Sequence, residues 1–261
     1  MDYSAEKHGF TLIELAIVLI IISVATGSVL LGKDLIRSAE LRTINTDIEQ
    51  YRIAAHSFTS KYKGIPGDIK NATLFWDAAP SCPTASSNIE HTCNGNGNNV
   101  IQNALGSNQY GEWFMFWQHL SLAGFYEDKY TGYAGPASFQ DVIASKNVPK
   151  SRLAADTIFL LRHFDTLAFT QGFTFTNLMR NTLIIGKDQN SNLDGDVPVL
   201  TPSEMYRVDN KLDDGSPAYG HIQSFTSDRR PGCVTSNTAR TAQYHNNSNN
   251  ISCTFFYILD F

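Results

Sequence analysis

Few residues in this chain combine type and spacing into chemistry, and Glu14 is the first of them. It is the single carboxylate in the run Gly9-Phe10-Thr11-Leu12-Ile13-Glu14-Leu15-Ala16-Ile17-Val18-Leu19-Ile20-Ile21-Ile22, and from Leu15 to Leu31 almost nothing is polar beyond Ser23, Thr26 and Ser28. An ionised group inside a spanning helix costs roughly 2.5 to 3.5 kcal/mol on insertion scales, so such a residue is a functional candidate by default. The chemistry open to it is ion pairing, with a partner expected from outside the segment.

A second constellation has cation-binding chemistry. In Lys187-Asp188-Gln189-Asn190-Ser191-Asn192-Leu193-Asp194-Gly195-Asp196, the residues Asn190, Asn192 and Asp194 stand at alternate positions ahead of Gly195, as a calcium loop needs to fold hard oxygen ligands round one ion. Asp188 and Asp196 add flanking carboxylates. The position that usually carries a bidentate acid is Thr201, with Glu204 beyond it, and the same stretch also reads as a solvated polar loop. Asn94-Gly95-Asn96-Gly97-Asn98-Asn99 has the alternation without any carboxylate and reads as a turn. No HExxH, GxSxG, P-loop or nucleotide fingerprint is present, so the sequence gives no reason to expect an enzyme or a bound cofactor other than calcium.

The elements that must position these residues follow from periodicity. At about 1.5 Å per residue, residues 10–31 as one helix nearly cross a hydrocarbon core of about 30 Å. Beyond them Ile44, Ile48, Tyr51, Ala55, Phe58 and Tyr62 recur at spacings of four and three, the mark of one helical face, while Asp47, Glu49, Gln50, Arg52 and Lys61 fill the others. One continuous helix over residues 10–62 is therefore expected. Lys63-Gly64-Ile65-Pro66-Gly67-Asp68 closes it, with Gly64 suited to a left-handed cap and Pro66-Gly67 to a type II turn.

Gly9, Phe10, a small polar residue, Leu12-Ile13 and Glu14 together resemble the processing and methylation motif of type IV prepilins and type II secretion pseudopilins. The resemblance implies that a membrane peptidase cuts between Gly9 and Phe10 and methylates the new amino terminus. It also implies that Glu14 of one subunit pairs with the Phe10 ammonium of a neighbour, so that the buried charge favours the filament over the lone subunit. The fold implied is α+β and lollipop-like: a leader over 1–9, a long helix over 10–62 whose first part, 10–31, is membrane anchor and filament core, and a periplasmic or extracellular head over 63–261.

Partners on this reading are other pilin-like subunits, the peptidase/N-methyltransferase and an inner-membrane assembly platform. The chain would start in the bacterial inner membrane and end in a periplasmic or cell-surface filament. A type IV pilus, with the chain as a minor or large-headed subunit, and a type II secretion pseudopilus are both open; so is a membrane-anchored periplasmic binding module. An ordinary signal peptide cut after Ala25 fits less well, because Asp2 and Glu6 face only Lys7 in the leader and Glu14 breaks the apolar region.

The head carries 4 cysteines in two local pairs. Beyond the inner membrane such pairs oxidise, so Cys82-Cys93 and Cys233-Cys253 are expected as disulfides; the second also resembles the disulfide-bounded C-terminal region of type IV pilins. A net charge of −5 gives no basic patch for nucleic acid. Glu112 to Leu120 reads as a buried helix, with Trp113, Trp117 and Leu120 at helical spacing and His119 as a hydrogen-bonded interior residue. The runs 157–161, 167–170, 173–175 and 183–185 read as antiparallel strands, with a last strand after Cys253. Thr201-Pro202-Ser203-Glu204 is a capping box that starts a short helix ending near Asp213-Asp214-Gly215.

Overall fold

The computed structural model describes residues 11–79, 82, 90–102, 111–138, 140–153, 156–187 and 195–261. Helix α1 spans Leu12–Tyr62, followed by α2 (Glu112–Leu122), β1 (Thr157–Phe164), α3 (Thr166–Thr170), β2 (Arg180–Lys187), α4 (Pro202–Leu212), β3 (Ile222–Ser224) and β4 (Phe255–Ile258). The fold is α+β, with a long N-terminal helix, a four-stranded antiparallel sheet and further short helices. Two compact units divide the chain, one up to Glu40 and one over Leu41–Phe261, so the boundary falls inside α1.

In the second unit the expected helical face of α1 is buried: Ile44, Ile48, Tyr51, Ala55 and Phe58 all belong to the main core. Tyr51 sits edge-on to Trp117 of α2 and to Phe159 of β1, each at 4.9 Å between ring centres, which ties the three elements together. Asp47 corrects the sequence reading: it lies on the buried side, where desolvation raises its carboxyl above the ordinary range against the pull of Arg152.

The sheet order is β1-β2-β4-β3 and every pairing is antiparallel. Ile184 faces Leu160 on one side and Phe256 on the other, so β2 is covered by neighbours on both edges. Two of the four expected strands in 157–185 are not strands. Residues 166–170 form α3 because the Asp165 carboxylate accepts the Ala168 amide at 3.0 Å and caps a helical turn, and Phe173 and Phe175 are buried loop residues. The sheet is completed instead by β3, too short and too polar (Ile222-Gln223-Ser224) to stand out, and by β4 after Cys253.

Both cysteine pairs are bridged, Cys82 to Cys93 with Cα atoms 5.6 Å apart and Cys233 to Cys253 at 4.8 Å. At the end of α1 the left-handed residue is Lys63 (φ 58°), not Gly64. Pro66-Gly67 makes the expected turn, with Gly67 at φ 84° and the Asp68 amide donating to the Ile65 carbonyl at 3.0 Å.

Candidate functional site: an acid in the apolar N-terminal helix

Every described side chain from Thr11 to Val29 is exposed in the first unit, and this is the one stretch of described helix long and apolar enough to cross a membrane. Its polar side chains are satisfied from within. The hydroxyls of Ser23, Thr26 and Ser28 donate to the carbonyls of Leu19, Ile22 and Val24 at 2.7, 2.9 and 2.9 Å, so none carries an unmet donor into an apolar surrounding.

Glu14 is also hydrogen-bonded locally, in addition to any charged partner from outside the segment. One carboxylate oxygen accepts the Thr11 amide at 2.8 Å and the Thr11 hydroxyl at 2.7 Å, while the Glu14 amide donates back to the Thr11 hydroxyl oxygen at 3.3 Å. This is a capping box closing the first turn of α1. Its signal stood in the sequence, since Thr11-x-x-Glu14 has the spacing of Thr201-x-x-Glu204. Both donors are neutral, so they do not compensate a charge on the carboxylate and leave it able to accept a cation.

Residues 5–30 match the family model of the prokaryotic N-terminal methylation motif. This N-terminus is prepilin-like. The match takes in Gly9, Phe10, Glu14 and most of the apolar run, and it fits a type IV prepilin or pseudopilin-like protein. No curated protein and no solved structure matches the chain. Gly9 and Phe10 themselves lie outside the described residues.

In the head, Asp188, Asn190, Asn192 and Asp194 of the expected calcium loop also lie outside the described residues. Asp196 is described and buried. Its two oxygens accept from Arg229 Nε at 2.6 Å and from the Arg230 guanidinium, so it is neutralised by cations of the chain itself.

A built acid site with no signal of its own in the sequence lies at Asp68. Its carboxylate is buried and accepts three backbone amides of the Asn-rich loop: Gly97 at 2.6 Å, Asn98 at 3.2 Å and Asn99 at 2.7 Å. Glu112, the first residue of α2, takes two more, from Asn96 at 3.1 Å and Gln102 at 2.9 Å. The loop thus turns its donors toward two carboxylates, the reverse of a cation cage. Gly95 must be glycine here, because a Cβ would stand 2.3 Å from the Asp68 backbone. Burial, helped by the nearby Asp68 carboxylate, pushes Glu112 up to about 7 against the downward pull of its two amide bonds.

His119 anchors the same corner. Its Nδ1 accepts the Gly67 amide at 2.8 Å, which leaves Nε2 to carry the proton toward Thr92 Oγ1 at 2.9 Å, and burial lowers its pKa to about 3. It is a neutral structural ring.

Asp209, Asp213 and Asp214 bring oxygens within 4.8 Å of one another. Asp209 accepts the Tyr244 hydroxyl at 2.6 Å and the Gly215 amide at 3.2 Å; Asp213 and Asp214 accept the amides of Ile222 and Ser216, both at 2.8 Å. The cluster organises the turn after α4. Burial pushes Asp209 up to about 7.

Proposed function

We propose that the chain is a structural subunit that polymerises through its N-terminal helix into a type IV pilus-like filament, as a minor subunit with a large head. The observation that carries this is the methylation-motif match over residues 5–30, with Glu14 as an acid in an otherwise apolar, exposed helix. On this reading a prepilin peptidase cuts Gly9-Phe10 and methylates the Phe10 amine. The amine stays cationic, and Glu14 of the adjoining subunit accepts it as the apolar helices leave the inner membrane and bundle. Neutral donors from Thr11 lower the cost of holding the acid in lipid; the ion pair made only on assembly then selects the polymer.

The head contributes no expected catalytic step, and no cofactor is needed for polymerisation. The test is expression with a prepilin peptidase and assembly machinery, followed by N-terminal sequencing of sheared filaments. The processed protein should begin with N-methylated Phe10, and Glu14→Ala should be cut normally yet lose on the order of tenfold or more of its filament yield, the cost of stranding a charge-pair partner being several kcal/mol. Processing at any other bond, or full assembly of the variant, would refute the proposal. A secretion defect with no surface filament would instead place the subunit in a pseudopilus.

A further inference from the structure

We propose that a small pocket at the junction of β1 and α3 in the head binds one uncharged sugar ring of a glycan. The pocket holds about 260 Å³ and is formed where the Asn-rich loop, α2 and the β1–α3 corner meet. Its polar lining is Arg162, His163, Asp165, Gln102, Gln140 and Gln171; Trp113, Leu167 and Ala168 supply apolar surface. The site is separate from the N-terminal helix, and the inference does not rest on the filament role.

Three features select the ligand class. First, size: the volume lies below the roughly 300–1,000 Å³ of pockets that take drug-sized molecules, which suits a single ring. Second, charge: one guanidinium and one carboxylate balance each other, which favours an uncharged ligand over an anion or a cation. Third, hydrogen-bond pattern: each carboxamide offers a donor and an acceptor side by side, and Gln102, Gln140 and Gln171 supply three of them. Vicinal hydroxyls, each donor and acceptor at once, match that lining, and the C–H face of a sugar ring matches the exposed side chain of Leu167.

The lining is also held in place before any ligand arrives. The Arg162 guanidinium lies 5.7 Å from the ring centres of Trp113 and Phe164 and 5.2 Å from that of Phe173. His163 Nδ1 is fixed against Asn181 Oδ1 at 3.0 Å. One oxygen of Asp165 caps α3 through the Ala168 amide, which leaves the second for a ligand hydroxyl, and Gln102 accepts from Asn96 Nδ2 at 2.9 Å, which leaves its own amide protons. Such pre-organisation lowers the ordering cost of binding.

The test is saturation-transfer NMR on the full-length chain in deuterated-detergent micelles. A panel of methyl glycosides of neutral hexoses and N-acetylhexosamines serves as probe, with sialic acid, acetate and inorganic phosphate as charged controls. At least one neutral glycoside should show transfer. Its affinity should fall on the order of fivefold in Gln171→Ala and in Gln140→Ala, the loss expected from one hydrogen bond each, and stay unchanged in Gln243→Ala on the distant C-terminal loop. Both lining variants replace side chains that are not buried, so the head keeps its core. No transfer from any neutral glycoside, binding confined to the charged controls, or full affinity in both lining variants would overturn the proposal.

Discussion

Thr11 and Glu14 close the start of α1 on each other, with the amide and hydroxyl of Thr11 meeting the same carboxylate oxygen at 2.8 and 2.7 Å. The acid caps within the chain and, on the proposed reading, pairs charges between subunits, and mutation can separate the two. Thr11→Ala removes the hydroxyl and keeps the carboxylate. It should weaken the first turn by about 1 kcal/mol and leave filament yield within about twofold of the parent, whereas Glu14→Ala should abolish most of it. Equal losses in sedimented filament from the two variants would make capping the whole role of Glu14 and remove the ion pair from the account.

Asp68 is the acceptor for three loop amides, and no water-facing route exists for a side chain only 1% exposed. Asp68→Ala strands those donors and should destabilise the head by about 3 kcal/mol. Amide exchange read residue by residue should show Gly97, Asn98 and Asn99 losing protection before the sheet does. Unchanged exchange at those positions would mean that the loop is held by other contacts.

Stability should fall as pH rises toward 8. Glu112 and Asp209 are both raised to about 7 in the folded head, above their ordinary values of 4.5 and 3.8. A raised carboxyl contributes stability fully below its unfolded pKa, and the contribution is lost as pH climbs through the folded one. Thermal melting of the protein between pH 4 and 8.5 should therefore show a declining midpoint, and Glu112→Gln should flatten that decline. A midpoint that rises across this range would contradict the assignment.

The Cys233–Cys253 bridge closes a loop of 20 residues in sequence and joins it to the residue that pairs with Leu200. On chain-entropy grounds a Cys233→Ser/Cys253→Ser double variant should lose about 3 kcal/mol in chemical denaturation. Cys82→Ser/Cys93→Ser, with its loop of 11, should lose slightly less by the same measurement.

How much of this was readable beforehand differs by element, for physical reasons. The long helix, the aromatic helix α2 and the capped helix α4 follow from local periodicity and end signals, and the structure has all three. The strands were harder, because aromatic and β-branched runs suit both strand and buried loop. At Leu167–Thr170 the Asp165 cap decided for helix, while Ile222–Ser224 became a strand only because β4 lay alongside it. The pairing of the Pro-Gly-Asp turn with the Asn-rich loop could not be read at all, since it depends on residues about thirty positions apart meeting in space. At the N-terminus the reverse holds: Gly9 to Glu14 carries its meaning in sequence alone, and the Thr11 contact to Glu14 has the same spacing as the capping box at Thr201 and Glu204.

The strand order places β4, made from Phe255–Ile258, between β2 and β3 rather than at an edge. The middle of the sheet is thus filled by a strand made after both of its neighbours. A prematurely terminated chain would present β2 and β3 with a gap between them and an unmated row of amides, a ready substrate for proteolysis. Chains that lack β4 would thus be degraded rather than accumulate with an open sheet.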